Sequence, residues 1–318
     1  MGKSQLPTRG IQAVHSTWTL SAAGEGSGGA RGRHLIPSLL RGRLRCLGGG
    51  GRPRRQTYRG EMAQRTFEII CEVEPATRPD LTQVRHQIGV LSKVATAFLI
   101  PDNHIGRATV SSIAVAHEVR LMGGRSIACI NARDRNVLGF QRDLLTAAAY
   151  GVNEFLFVYG DRPETGARSD DLTVRAMISE ARSFSERAGL EGSLRLGATT
   201  SLGSLQSWKQ GADFLLAQVS YSLDELLKWR STVDFDGPIY AGVMVLPSSS
   251  MARKLTAEVP QLAVPGEIID QLDRESGAGV DLACAYVQAI YESELFDGVH
   301  LIPVNRYREI AARLETLF

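Results

Sequence analysis

Cysteine is scarce in this chain. The four residues, Cys46, Cys71, Cys129 and Cys284, lie far apart and form no CxxC pair. That excludes a disulfide framework or a cysteine-based zinc site and fits a reducing, cytoplasmic compartment. Long apolar runs are also missing: none reaches the roughly 18 residues of a membrane helix, so a soluble protein is expected. No His, Asp or Glu spacing suggests a metal site. The first strand-like run leads into Glu74-Pro75-Ala76 and not into the glycine-rich turn that a doubly wound dinucleotide-binding fold would need.

Acidic residues are scarce in one region only. Residues 1–61 hold 11 Lys+Arg against 2 acids, and residues 62–318 hold 25 against 32, so the overall +2 joins a segment of +9 to one of −7. The acidic larger part argues against nucleic acid as its partner. The first 60 residues also carry 13 of the 32 glycines and show no helical or strand period. Such a composition cannot bury enough apolar surface to offset its ordering entropy, and residues 1–61 are expected to be disordered. A transit segment, a nucleic-acid-binding arm, and an untranslated leader with Met62 as the true start are the three readings of it.

From residue 66 onward, order is regular. Strand-like runs are expected at 66–74, 96–100, 126–130, 154–158, 194–197, 213–217, 238–245 and 297–301. Helical periods are expected between them at 80–95, 107–122, 136–150, 170–188, 205–210 and 222–232. A longer helical stretch, 249–294, breaks near 260–266 and 277–279, and a closing helix spans 305–317. Eight such units over about 250 residues are the size of a (β/α)8 TIM barrel, which makes residues 62–318 one α/β domain.

Most of the strand-like runs stop on a polar residue: Glu72 and Glu74, Asn103 and His104, Asn131, Asp161, Gln218, Asn305. In an α/β barrel these ends open on one face, so residues scattered in sequence converge on one site. Burial at a strand end disfavours a charged carboxylate, which suits Glu72 or Glu74 to general acid work; capping the barrel or pairing with Arg78 or Arg107 is the plainer role. Asp161 sits between a glycine and a proline that would fix it over the mouth, or it caps a turn. Gln218 offers an amide to a heterocycle edge or to loop backbone. His104, with Arg107, could meet a cofactor phosphate at a helix start; a solvated loop histidine is the alternative.

The order of motifs resembles the methylenetetrahydrofolate reductase family of flavin-dependent barrels. Cys71-Glu72-Val73-Glu74-Pro75-Ala76 is similar to its first-strand F-E-F-F-P-P, and Tyr159-Gly160-Asp161-Arg162-Pro163 to its R-G-D-x-P. Gly211-Ala212-Asp213 through Gln218, Pro238 through Pro247, and Gly298 through Arg306 follow its sixth, seventh and eighth strands. The resemblance implies reduction of 5,10-methylenetetrahydrofolate to 5-methyltetrahydrofolate with FAD and NAD(P)H, in one-carbon metabolism and methionine biosynthesis. It implies Glu72 as the general acid and Asp161 beside the flavin, opposing the cationic folate intermediate. Substrate contacts would be Gln218, Glu74 and Leu272, which aligns near the family's stacking aromatic. Cofactor contacts would be Asp161, Asn103, His104, Asn131 and Thr199.

The chain departs from the family after strand five, where A-x-Y-P-E-x-H has become Gly197-Ala198-Thr199-Thr200-Ser201. The T-Y-G-A turn and the third-strand histidine are also replaced. A flavin-free folate-dependent one-carbon transferase and a non-catalytic pterin- or subunit-binding barrel are the alternatives. The expected partner is a small-molecule folate, without nucleic acid or membrane; a homo-oligomer is compatible with the sequence.

Overall fold

A computed structural model describes residues 67–190, 194–259 and 262–318. The expectation for residues 1–61 lies outside the described residues. Eight strands, β1 (Glu68–Glu72), β2 (Ala97–Ile100), β3 (Ser126–Asn131), β4 (Glu154–Val158), β5 (Arg195–Thr200), β6 (Phe214–Ala217), β7 (Ile239–Met244) and β8 (Gly298–Ile302), close a barrel in sequence order. Every neighbouring pair is parallel, including β1 with β8. The helices are α1 (Thr82–Leu91), α2 (Ser112–Leu121), α3 (Val137–Ala149), α4 (Val174–Ala188) and α5 (Leu223–Thr232). They continue with α6 (Ser249–Glu258), α7 (Gly266–Arg274), α8 (Ala278–Glu292) and α9 (Tyr307–Leu314).

Strand alternation explains the two-layer core. Ile70, Leu99, Ile127, Leu156, Phe214 and Leu216 face inward and fill the barrel. Cys71, Phe98, Ile100, Ala128, Ile130 and Phe157 face outward and pack under the helices. Because both faces are covered, the strands read as near-continuous apolar runs.

The barrel floor is polar. Arg125 bonds Glu68 at 2.5 Å and approaches Glu154 at 3.4 Å, while Arg195 bonds Glu154 at 2.7 Å and the Tyr240 hydroxyl at 3.0 Å. Tyr240 in turn donates to Glu68. Burial pushes the Glu68 carboxyl up, but the bonds from Arg125 and Tyr240 outweigh it and hold that carboxyl below its ordinary range. Each charge is thus paired where it leaves water, as a buried charge requires.

Three elements differ from the sequence reading in ways that bear on the site. The segment expected as a helix at 205–210 is a 3-10 turn, Ser207–Gly211, because Gly203 and Gly211 bracket too few residues for an α-helix to repay its nucleation. Strand β5 runs three residues beyond 197, to Thr200, since Thr199 and Thr200 pair with Leu216 and Ala217. The helix expected from 107 begins at Ser112, because Val110 is first tied to the loop after β1 by a 2.8 Å bond to the Ala76 carbonyl.

Closure of β8 on β1 depends on Gly298. A Cβ there would lie 2.0 Å from the Glu68 carbonyl oxygen, and neither strand backbone can yield without breaking the ladder. Gly298→Ala is expected to cost about 3 kcal/mol or more of stability, read as the shift in urea unfolding midpoint. An unchanged midpoint would show that the seam is soft.

Candidate active site

The C-terminal ends of the strands bring Glu72 and His300 together. Glu72 ends β1 and is 8% exposed; His300, at the centre of the adjacent β8, is 3% exposed. His300 Nε2 lies 3.2 Å from Glu72 Oε2. Among the described residues neither imidazole nitrogen has an aligned hydrogen-bond partner. Two further groups feel the Glu72 charge. Burial pushes the His104 imidazole down, Glu72 pulls it up, and Arg107 pushes it down again, with a net lowering. Burial, then Glu72 and Asp102, push the Cys129 thiol well above its ordinary range, so it is an inert neutral thiol.

Asp161 is held by a latch between two loops. Gly160 has φ +90°, and a Cβ there would come 2.8 Å from Asn131 Cβ, so only glycine lets the chain turn so close to β3. Asp161 Oδ2 then accepts the Ile105 backbone N–H at 2.9 Å. Ile105 has φ +51°, a costly conformation for a β-branched residue. The loops are also joined by the Glu164 N–H on the Gly106 carbonyl (2.9 Å) and by Arg107 on Glu164 (2.7 Å). Burial pushes the Asp161 carboxyl up to about 6, although the Ile105 bond and Arg133 pull the other way.

The other sequence candidates divide into engaged and unengaged groups. Buried Asn131 donates to Asp102 at 3.0 Å and to Asp134 at 2.7 Å, and its side-chain oxygen accepts the Asp134 N–H at 3.0 Å. Asn103 bonds Asp134 at 2.9 Å and exchanges bonds with Thr109. Arg135 anchors this network through Asp102 at 2.7 Å. Gln218 is half-buried; its backbone N–H bonds the Thr200 carbonyl at 2.8 Å, and among the described residues its amide has no partner. Thr199 is half-exposed at the end of β5. Glu74 lies past the end of β1 with its backbone pinned by the Gln87 amide. Leu272 is on α7 and packs against the cluster that holds Met244, Leu246 and Ile268.

These positions bear on the flavin that the resemblance implies. Both amide ends of Asn103 and Asn131 are engaged with protein, one Asp161 oxygen is taken by Ile105, and the two loops beside them are latched. The residues present do not fit a flavin held in the family's manner. Among the described residues no group of three or more His, Cys, Asp or Glu could hold a metal ion, and no helix is long and apolar enough to cross a membrane.

Sequence reasoning missed the pairing of His300 with Glu72. The signal was present only as a histidine inside an apolar strand, Gly298-Val-His300-Leu-Ile302, whose register partner in β1 is Ile70. It also missed Asp102, which reads in sequence as a turn residue.

The model of the methylenetetrahydrofolate reductase family matches residues 202–317. No curated protein matches the chain. Among solved structures, an uncharacterised protein from Clostridium thermocellum that binds two copies of 5-methyl-5,6,7,8-tetrahydrofolic acid has a TM-score of 0.55 at 10% identity. That likeness covers 80% of this chain and 96% of the other, and it shows a shared fold. A long-chain alkane monooxygenase has a TM-score of 0.47 at 8% identity, over 79% of this chain and 92% of its own. An EDTA monooxygenase from Chelativorans sp. BNC1 has a TM-score of 0.45 at 8% identity, over 79% and 94%. Over residues 202–317, on a closed eight-stranded barrel, this chain is therefore similar to the methylenetetrahydrofolate reductase family.

Proposed function

We propose that this chain reduces 5,10-methylenetetrahydrofolate to 5-methyltetrahydrofolate with NAD(P)H as the hydride source. The observation that carries the reading is Glu72, a buried carboxyl at the mouth end of β1 with a histidine beside it and, among the described residues, no lysine or arginine ion pair. The family match over residues 202–317 and the methyl-tetrahydrofolate bound by the Clostridium thermocellum protein support the substrate class.

In this reading Glu72 gives its proton to N10 of the folate as the bond between the methylene carbon and N10 breaks. The electron pair goes to N10, leaving a cationic iminium at N5. Hydride from reduced nicotinamide then adds to the methylene carbon, giving the methyl group and oxidised nicotinamide, with one proton consumed overall. Asp161 opposes the cation electrostatically. The unengaged Gln218 amide suits a pteridine edge, which offers both donors and acceptors. The proposal passes the hydride from nicotinamide to folate directly, and a flavin carrier between them is the test outcome that would replace that route.

The test is anaerobic turnover of methylenetetrahydrofolate with NADH or NADPH, together with the visible spectrum of the purified protein. Formation of 5-methyltetrahydrofolate supports the reading. A band near ~450 nm that bleaches with NAD(P)H would assign a flavin carrier, and a colourless active protein would assign direct transfer. Folate binding without nicotinamide oxidation would replace the reductase with a one-carbon transferase or a binding barrel.

A further inference from the structure

We propose that His300 is the positioning residue of the Glu72 acid, its Nε2–H holding Oε2 so that the other carboxyl oxygen presents its proton to the barrel mouth. The inference rests on Glu72 acting as the acid, and it begins from register. His300 is paired with Ile70 on β1 and with Gly242 on β7, and Ile70 belongs to the cluster that fills the barrel. Residues paired across a ladder share a face, so His300 points inward, where apolar side chains are the rule.

A histidine kept in such a place for packing alone would be expected to have its nitrogens satisfied, because an unpaired buried polar group is costly. Here, among the described residues, neither nitrogen has an aligned partner, and Glu72 Oε2 is the polar atom that faces Nε2, at 3.2 Å. A carboxyl oxygen accepts, so the proton of the neutral imidazole belongs on Nε2. Nδ1 is then a bare acceptor, which is tolerated in a core more readily than an orphaned N–H. A modest turn of the carboxyl completes the bond, as catalytic contacts often tighten only with substrate present.

The titratable groups that face this pair from other strands do not compete for the role. Cys129 on β3 is held as a neutral thiol, and His104, from the loop after β2, is pushed toward its neutral form chiefly by burial. His300 is therefore the group that fixes which way the Glu72 carboxyl faces.

The experiment uses the full chain labelled with 15N-histidine, and the variants His300→Leu and His300→Gln. In a two-bond 15N–1H spectrum, the signal lost in His300→Leu is expected to show the Nε2–H tautomer in the wild type. An Nδ1–H tautomer would overturn the proposal. In turnover, His300→Leu is expected to lower kcat on the order of 10-fold with KM within about 2-fold, and His300→Gln, which keeps an N–H at the Nε2 position, to recover most of the loss. Equal kcat in wild type and His300→Leu would overturn the proposal. So would equal losses in both variants that track a fall in Tm, since that is what a packing role predicts. If the wild-type protein makes no 5-methyltetrahydrofolate, the function proposed above fails and the tautomer alone decides the Glu72–His300 contact.

Discussion

Glu72→Gln is expected to lower kcat for methylenetetrahydrofolate reduction by about 100-fold or more, with KM little changed. The substitution keeps the shape of the side chain and an oxygen for His300 to bond, so β1 and its closure on β8 should be undisturbed. What it removes is the transferable O–H proton. Ring opening then has to proceed with no acid at N10, and the loss falls on the transition state and not on binding. Steady-state kinetics beside thermal unfolding of the same preparation check the prediction. A variant within about 5-fold of wild type would mean that Glu72 is a lining residue and that the proton comes from elsewhere.

The second large effect is on stability and has a pH signature. The Asp161 carboxyl is raised from 3.8 to about 6, chiefly by burial. A carboxyl that binds its proton more tightly in the folded state contributes stability fully present below pH 3.8 and lost as pH rises through about 6. Above that window the folded protein carries a partly desolvated charge at a cost of about 2–3 kcal/mol. Asp161→Asn removes the charge while keeping an oxygen for the Ile105 N–H. It is expected to stabilise the protein by about that amount at pH 8 and to leave it unchanged near pH 3.5. The same variant should lose about 10-fold or more in turnover, because the negative charge opposing the iminium is gone. Urea midpoints at the two pH values decide it; equal shifts at both would show that the charge is not what the site stores.

That trade explains an unusual loop. Ile105 is held at positive φ by its bond to Asp161, so the fold accepts strain in one residue and desolvation in another to fix a carboxylate at the mouth. Such combinations are found where function requires them.

The barrel was legible in the sequence because its signal is long-range and repeated. Strands buried on both faces read as apolar runs of strand length, and the intervening helices carry their own period, so eight units could be set in order. The breaks after α6 and before α8 were legible through proline and glycine, and Gly277 indeed has φ +87°. The turn at 207–211 was misread because a short segment between glycines with apolar residues three apart, Leu205 and Trp208, looks helical whether or not it has length enough to nucleate.

The site was legible only in part. Glu72 and Asp161 stood out as acids closing apolar runs. Asn131 stood out in the same way, yet its amide is spent on Asp102 and Asp134, a fact that depends on loop geometry no local pattern encodes. His300 was hidden because its meaning comes from a partner at the other end of the chain, brought near only when β8 closes on β1.

The most direct test of the account follows one atom. Incubating the protein with methylenetetrahydrofolate and NAD(P)H carrying deuterium at the nicotinamide C4 position, under anaerobic conditions, should place one deuterium in the methyl group of 5-methyltetrahydrofolate, read by mass spectrometry. If a flavin whose N5 hydrogen exchanges with solvent carried the hydride, the methyl group would form without the label, and direct transfer would give way to the family's flavin route. If no methyl-folate forms with either nicotinamide or with added FAD, the reductase account is contradicted.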